Sequence, residues 1–300
     1  MRYLVTGGCG FIGGHIIDQL VENGHEVIVI DNLSSDSSEG FHFNKSENVS
    51  YHNIDIRDFE KILPLFTDVE CVFHLAAESK IQPILNNPRL AVDVNVMGTC
   101  NVLESSRISG VKRLIYSSTS AIYGLKNNSP LTESMEEDCL NSYSVSKKSG
   151  EDLCKLYYKT WGLETIIFRY FNVYGDRHSS NGQYAPVIGK FLRQYKEDLP
   201  LTVVGDGTQK RDFIFVKDVV RANILASQSN NKEILGEIFN VGYGTNYSII
   251  DLAKMIGKNI EFVDQRQGEL FETLADISKI KSLLGWEPTT KLEDWLDSQK

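Results

Sequence analysis

Short apolar runs recur along the first half of the chain, at 3–5, 27–30, 49–52, 71–75, 113–116 and 165–168, separated mostly by longer helix-compatible segments. Runs of this length suit strands covered on both faces, and their alternation with helices predicts a parallel sheet. The expected fold class is therefore α/β, a doubly wound parallel sheet. After Phe168 the pattern changes: residues 169–189 are rich in Tyr, Asn, Gly and Ser, then a helix is predicted over 190–195, followed by short elements. This predicts a first domain over 1–168 and a smaller C-terminal α/β substrate domain over 169–300. The apolar run 213–216, the helix-compatible 218–228 and the run 238–241 give a stretch, 213–242, that is expected to return to the first domain. No internal repeat is visible.

The first run leads straight into Gly7-Gly8-Cys9-Gly10-Phe11-Ile12-Gly13 and then into a helix-like stretch from Ile16 to Glu22. Glycines in such a turn let the backbone bend tightly and approach a pyrophosphate, while the following helix offers unpaired N–H groups and its positive dipole end. The second run ends on Asp31, at roughly the 20-residue spacing where a carboxylate takes the hydroxyls of an adenosine ribose. Gly7, Gly10, Phe11, Ile12, Gly13 and Asp31 are thus candidate dinucleotide-binding residues on a Rossmann-type sheet. Because Asp31 would repel a 2′-phosphate, NAD is favoured over NADP. The polar stretch 34–40 is either a flexible loop near the adenosine or a solvated linker.

Composition narrows the functional classes. Three hundred residues with 41% hydrophobic side chains can cover a large core. A formal charge of −9 argues against non-specific nucleic-acid binding, and anionic ligands would need local arginines to overcome the overall field. The five cysteines are scattered singly and read as reduced thiols; the six histidines show no metal-ligand spacing, so no metal is expected. No apolar run approaches the roughly 20 residues of a membrane span, and cleavage of a signal peptide would remove the glycine turn. A cytoplasmic location is the expectation.

Tyr143 and Lys147 stand at i and i+4, which on a helix places both on one face. A phenol with pKa near 10 is a poor base at neutral pH, but a lysine ammonium and an oxidised nicotinamide would both favour its phenolate. Lowering that pKa by about three units requires only ~4 kcal/mol of differential interaction. A Ser/Thr cluster from Ser117 to Ser120 directly follows the run 113–116, and the C-terminal ends of strands are where open α/β sheets bind ligands. A hydroxyl there would donate to a substrate oxygen as the phenolate removes its proton.

Together these motifs resemble the extended short-chain dehydrogenase/reductase superfamily, in particular its nucleotide-sugar epimerases and dehydratases, over nearly the whole chain. The resemblance implies that Thr119 is the hydroxyl partner, Tyr143 the base, and Lys147 its electrostatic support and a ribose ligand. Asp55-Ile56-Arg57-Asp58 resembles the adenine-contacting segment, and Leu75-Ala76-Ala77 after His74 the strand lining the cofactor. Asn32, beside Asp31, and Ser117 join the implied cofactor contacts. Asn95 matches the structural asparagine motif and is counted with them, and Phe171 is implied to lie beside the nicotinamide.

On the substrate side, Gly205–Phe213 resembles a nucleotide-sugar motif, with Arg211 directed to the diphosphate, Arg266 as a second phosphate-binding arginine and Asn172 bonding the same group. Two guanidinium forks suit a pyrophosphate. Phe213, Tyr184 and Val187 are candidate nucleoside contacts. Dehydratases of the superfamily follow the catalytic threonine with an acidic pair; here Ser120 and Ala121 follow Thr119, which disfavours dehydration. Asp31-Asn32-Leu33-Ser34-Ser35, Tyr170-Phe171-Asn172 and the Arg211 segment look most like UDP-hexose 4-epimerases. UDP-N-acetylhexosamine or UDP-hexuronate epimerisation, decarboxylation, ketosugar reduction and a non-catalytic NAD-responsive regulator stay open as alternatives. A homodimer is implied, through helices near Pro88–Ser109 and Tyr143–Trp161.

Overall fold

The computed structural model describes residues 1–34, 41–79, 84, 86–178, 186–264 and 271–299. Seven parallel strands form the main sheet: β1 (Arg2–Thr6), β2 (Glu26–Asp31), β3 (Val49–Asn53), β4 (Cys71–His74), β5 (Arg113–Thr119), β6 (Glu164–Tyr170) and β10 (Ile238–Val241). Their order is β10-β6-β5-β4-β1-β2-β3. Successive residues of a strand point to opposite faces, so each face has its own core. Leu4, Ile28, Val72, Leu114 and Ile167 pack on one side, against helices α2 (Thr99–Ile108) and α3 (Ser142–Trp161). Val5, Val29, Phe73, Ile115, Ile166 and Phe168 pack on the other, against α1 (Phe11–Glu22) and the helix at Val216–Gln228. Each such side chain contributes about 1.5–3 kcal/mol on burial, which is why the runs read from sequence become central strands.

The chain leaves β1 toward β2 and β3 on one side, then crosses to place β4 on the other. This reversal between β1 and β4 is where open α/β sheets bind ligands. It brings the turn after β1 beside Leu75 and Ala76: the Leu75 N–H donates to Thr6 O at 3.1 Å and the Ala76 N–H to Thr6 Oγ1 at 3.2 Å.

The stretch 213–242 divides. The helix Val216–Gln228 and β10 join the main sheet, whereas Phe213–Phe215 ends β9 (Lys210–Phe215) in a separate three-stranded sheet between β7 (Asn172–Tyr174) and β11 (Asn246–Ser248). The reason is pairing: Asn172 registers with Phe213, and Asn246 with Asp212. A parallel pair, β8 (Leu201–Val204) with β12 (Ile260–Val263), completes the smaller lobe beside the helix Val187–Lys196. Asp212 anchors this lobe, its buried carboxylate accepting the N–H groups of Tyr243, Gly244 and Ala275 at 2.7, 3.0 and 3.0 Å. Burial pushes that carboxyl up to about 6, opposed by those three donors.

Candidate active site

A cleft of about 460 Å³ lies over the strand reversal. Gly7, at φ +70°, closes the turn, its N–H donating to Ile30 O at 2.8 Å. A side chain there would meet the backbone of Leu75 and Ala76 at 2.7–2.9 Å. Helix α1 starts at Gly10 with no side-chain cap and no acidic residue in its first turn, so its leading N–H groups are left to an anion. Asp31 stands on the same wall, its two carboxylate oxygens accepting the N–H of Cys9 at 3.0 Å and of Leu33 at 2.9 Å. Burial raises the Asp31 carboxyl. An open helix terminus, a turn that admits no Cβ and a carboxylate at the end of β2 fit a dinucleotide.

Further along the wall, Arg57 forks onto Asp55 at 2.9 and 2.8 Å, and Asn32 Nδ2 donates to the same carboxylate at 2.8 Å. The Arg57 hydrogen bonds hold Asp55 down at about 2. Phe11, Ile12, Gly13, Ile56, Leu75, Ala76, Ala77 and Ser117 also line the cleft. Glu78, Ser79, Ser118 and Tyr170 line it as well, and sequence did not single them out. Tyr170 carried a signal, lying beside the singled-out Phe171.

Two expected cofactor residues do not reach this wall. Asn95 is buried behind it, donating to Glu78 O and Ser146 Oγ, both at 2.9 Å, and accepting the Glu78 N–H at 2.8 Å. It ties the backbone of the wall to α3, consistent with a structural asparagine rather than a cofactor ligand. Phe171 turns into a cluster with Tyr123, Leu131 and Ala275, because the sheet alternation gives the cleft side to its neighbour Tyr170.

Tyr143 and Lys147 sit on the first two turns of α3, started by a capping box in which Asn141 and Ser144 exchange hydrogen bonds. Tyr143 lines the cleft, and Thr119, at the end of β5, lies within reach of its phenol without lining the cleft itself; the Thr119 hydroxyl accepts the Ala121 N–H at 3.2 Å. Lys147, 3% exposed, places its ammonium 4.3 Å above the Tyr116 ring. Burial pushes the Tyr143 phenol above its ordinary value, and the nearby Thr119 hydroxyl partly opposes this. The acidification expected from Lys147 is thus missing in the protein alone, where desolvation dominates. Desolvation also brings Lys147 itself down to about 8.

His74 lies beneath, fully buried, with Nδ1 2.7 Å from Thr6 Oγ1 and Nε2 2.9 Å from Thr99 Oγ1. Desolvation, helped by the Lys147 charge, depresses it to about 3. The unfolded chain takes up this proton near 6.5, so the contribution of His74 to stability is complete above about pH 6.5 and is lost as pH falls toward 3. Urea unfolding of wild type and His74→Asn at pH 7 and pH 5 is expected to show a pH dependence shallower in the variant by about one proton. Parallel slopes would contradict a neutral His74.

In the smaller lobe, Asn172 Nδ2 donates to Asp212 O at 2.8 Å, and Asn172, Val187, His178 and Phe213 line a second, 60 Å³ cavity. Arg211 lies on β9 beside Asp212, its Nη1 donating to Lys210 O at 2.8 Å, and is on neither described wall. Arg266 and Tyr184 lie outside the described residues. Among the described residues, no group of His, Cys, Asp and Glu could hold a metal ion, and no helix is long and apolar enough to cross a membrane.

The reversal-point cleft, glycine turn and ribose-side carboxylate define a Rossmann-type nucleotide-binding enzyme. Residues 3–242 match the NAD dependent epimerase/dehydratase family, and the chain belongs to it. A UDP-glucuronate 4-epimerase of Thermodesulfobacterium geofontis is 36% identical over 98% of this chain and 93% of its own length. A UDP-glucose 4-epimerase of Thermotoga maritima, solved with UDP-glucose, superposes with a TM-score of 0.92 at 36% identity, covering 99% of this chain and 96% of that one. A UDP-glucose 4-epimerase of Thermus thermophilus, solved with NAD, gives 0.88 at 32% identity, covering 99% and 96%. NAD is the cofactor of this family, and the chain is an enzyme acting on nucleotide sugars.

Proposed function

We propose that this protein is a UDP-hexose 4-epimerase that interconverts UDP-glucose and UDP-galactose. What supports the reading is that Tyr143 and Lys147 line the cleft together with Ser117 and Ser118 of β5, with no carboxylate at Ser120 or Ala121 after Thr119. NAD would be held by the glycine turn, Asp31, Asp55 and Lys147, and when bound it supplies a reversible hydride acceptor. Tyr143 removes the proton of the sugar 4-hydroxyl and later returns one, and Thr119 donates to the C4 oxygen as it becomes a carbonyl. Asn172, Arg211 and Arg266 hold the diphosphate, so the 4-keto hexose can turn over without leaving and is restored with inverted C4. Redox at C4 cancels over the cycle.

Purified protein is expected to convert UDP-galactose to UDP-glucose without added reductant; no conversion, even with NAD supplied, refutes this substrate. The similarity to a UDP-glucuronate 4-epimerase makes the hexuronate the second reading, and a product screen over UDP-glucose, UDP-N-acetylglucosamine and UDP-glucuronate separates them.

The dimer belongs to the same proposal. Val145 and Leu156, three turns apart on α3, are 50% and 47% exposed, and Met97 and Ile108, near the ends of α2, are 58% and 51% exposed. An apolar stripe over two adjacent helices suits a second copy across a two-fold axis. Light scattering should give a dimer for wild type and a monomer for Val145→Glu/Leu156→Glu. A monomeric wild type at about 10 μM, where interfaces of standard size with nanomolar affinity are filled, would end this idea.

A further inference from the structure

One helical turn beyond Lys147, behind the cleft, lies a fully buried ion pair. Arg169 Nε and Nη2 donate to Glu151 Oε1 and Oε2 at 2.9 and 2.7 Å, and neither side chain is exposed. Glu151 Oε1 also accepts the Ser118 hydroxyl at 2.6 Å. The guanidinium lies 4.8 Å from the centre of the Tyr123 ring. Three elements thus converge on one carboxylate: β5, where Ser118 precedes Thr119; α3, which carries Tyr143 and Lys147; and β6, which ends at Tyr170. Apolar side chains of similar volume often hold a core as well as a buried ion pair does, so stability alone is a weak reason for it.

We propose that Glu151 is a positioning residue for the reaction: through Ser118 it fixes the strand end that carries Thr119, and one turn along the same face of α3 it sets a buried negative charge beside Lys147. The inference rests on the function proposed above and concerns the same site.

Lys147 faces the Tyr116 ring from β5, His74 from β4, and Tyr143, Glu151 and Cys154 along its own helix. His74 is neutral at working pH because burial depresses it. The Cys154 thiol is pushed far up by burial and is uncharged. Glu151 is therefore the anion, among the described residues, that opposes the desolvation of Lys147, while Arg169 is a cation on the far side of that carboxylate. Removing the Glu151 charge leaves desolvation and the Arg169 cation acting together, and both favour the neutral amine.

The direct test is ¹³C NMR of lysine-labelled protein, with the Lys147 signal assigned by its loss in Lys147→Arg. In Glu151→Gln the Lys147 titration is expected to move about one pH unit toward neutrality, the lower end of the range for one nearby opposite charge, while Glu151→Asp stays close to wild type. The alkaline limb of kcat should move with it, KM and retained NAD being unchanged. If Glu151→Gln does not fold, Glu151→Gln/Arg169→Gln, which removes both charges of the pair so that no buried guanidinium is left without its carboxylate, should shift the titration in the same direction. An unmoved Lys147 titration in whichever variant folds overturns the proposal, as does failure of both to fold, which would make the pair purely structural. A wild type inactive on every nucleotide sugar would refute the functional reading instead, since the NMR titration needs no substrate.

Discussion

Tyr143→Phe is expected to lower kcat by about 10³-fold, within the range for losing a positioned acid–base group, while the purified protein keeps its NAD. The substitution removes one oxygen and leaves the ring in place on α3, whose capping box at Asn141 and Ser144 does not involve the phenol. Thr119 keeps its hydrogen bond from the Ala121 N–H at 3.2 Å, so the end of β5 stays ordered. The cofactor contacts proposed for the glycine turn, Asp31 and Asp55 lie elsewhere on the cleft and are untouched. The phenol of the isolated protein sits above its ordinary value. The phenolate therefore has to be created by positive charge brought into the site, and an activity that rises with pH in wild type should disappear in the variant. Steady-state kinetics with UDP-galactose, alongside the NAD content of the denatured protein, check this. Turnover within about ten-fold of wild type would remove Tyr143 from the acid–base role, since such groups contribute 10²–10⁴-fold.

Gly13→Ala is the second large effect. A Cβ at Gly13 would run into the carbonyl oxygen of Gly7 and lie 2.8 Å from Gly8 Cα, both backbone atoms with no rotamer to swing away. The turn and α1 must separate to admit a methyl group, at a cost of about 1–3 kcal/mol, the usual range for overpacking. The displaced atoms are those that form the phosphate-facing turn, so NAD affinity is expected to fall by at least about 10²-fold, the scale of a roughly 3 kcal/mol loss. Gly24→Ala is the control: it has φ +76° and open space around it, so it carries only the left-handed penalty of about 1–2 kcal/mol. Melting curves with and without NAD separate the two, because only Gly13→Ala should lose the stabilisation by NAD. Full NAD occupancy in Gly13→Ala would show that the turn yields more easily than its backbone contacts indicate.

Much of this architecture is legible in sequence. The six runs identified from apolar patterning all fall on strands β1 to β6, and the helix expected at 190–195 lies within Val187–Lys196. Such features rest on short-range causes: a side-chain period of two, glycine where a turn needs positive φ, and a polar cap before a helix. Gly7 and Tyr143 could be picked out because their local spacing carries the chemistry. Asn95 and Phe171 do not line the cleft, because a motif marks a segment and not the direction of each side chain. The strand neighbours of Tyr170 decide that it, and not Phe171, faces the cleft.

The chain by itself determined the fold class, the position of the dinucleotide turn and the Tyr143–Lys147 face, since all of these follow from residues within a few turns of one another. Tertiary structure alone decided that Ser118, Glu151 and Arg169 meet, that Asn95 braces Glu78 against α3, and that burial sets His74, Tyr143 and Lys147 away from their ordinary proton affinities. Those outcomes join residues 17–51 positions apart or depend on how much water the packed sheet excludes. Neither quantity is written in any local stretch of sequence; both appear only when the strands close over one another.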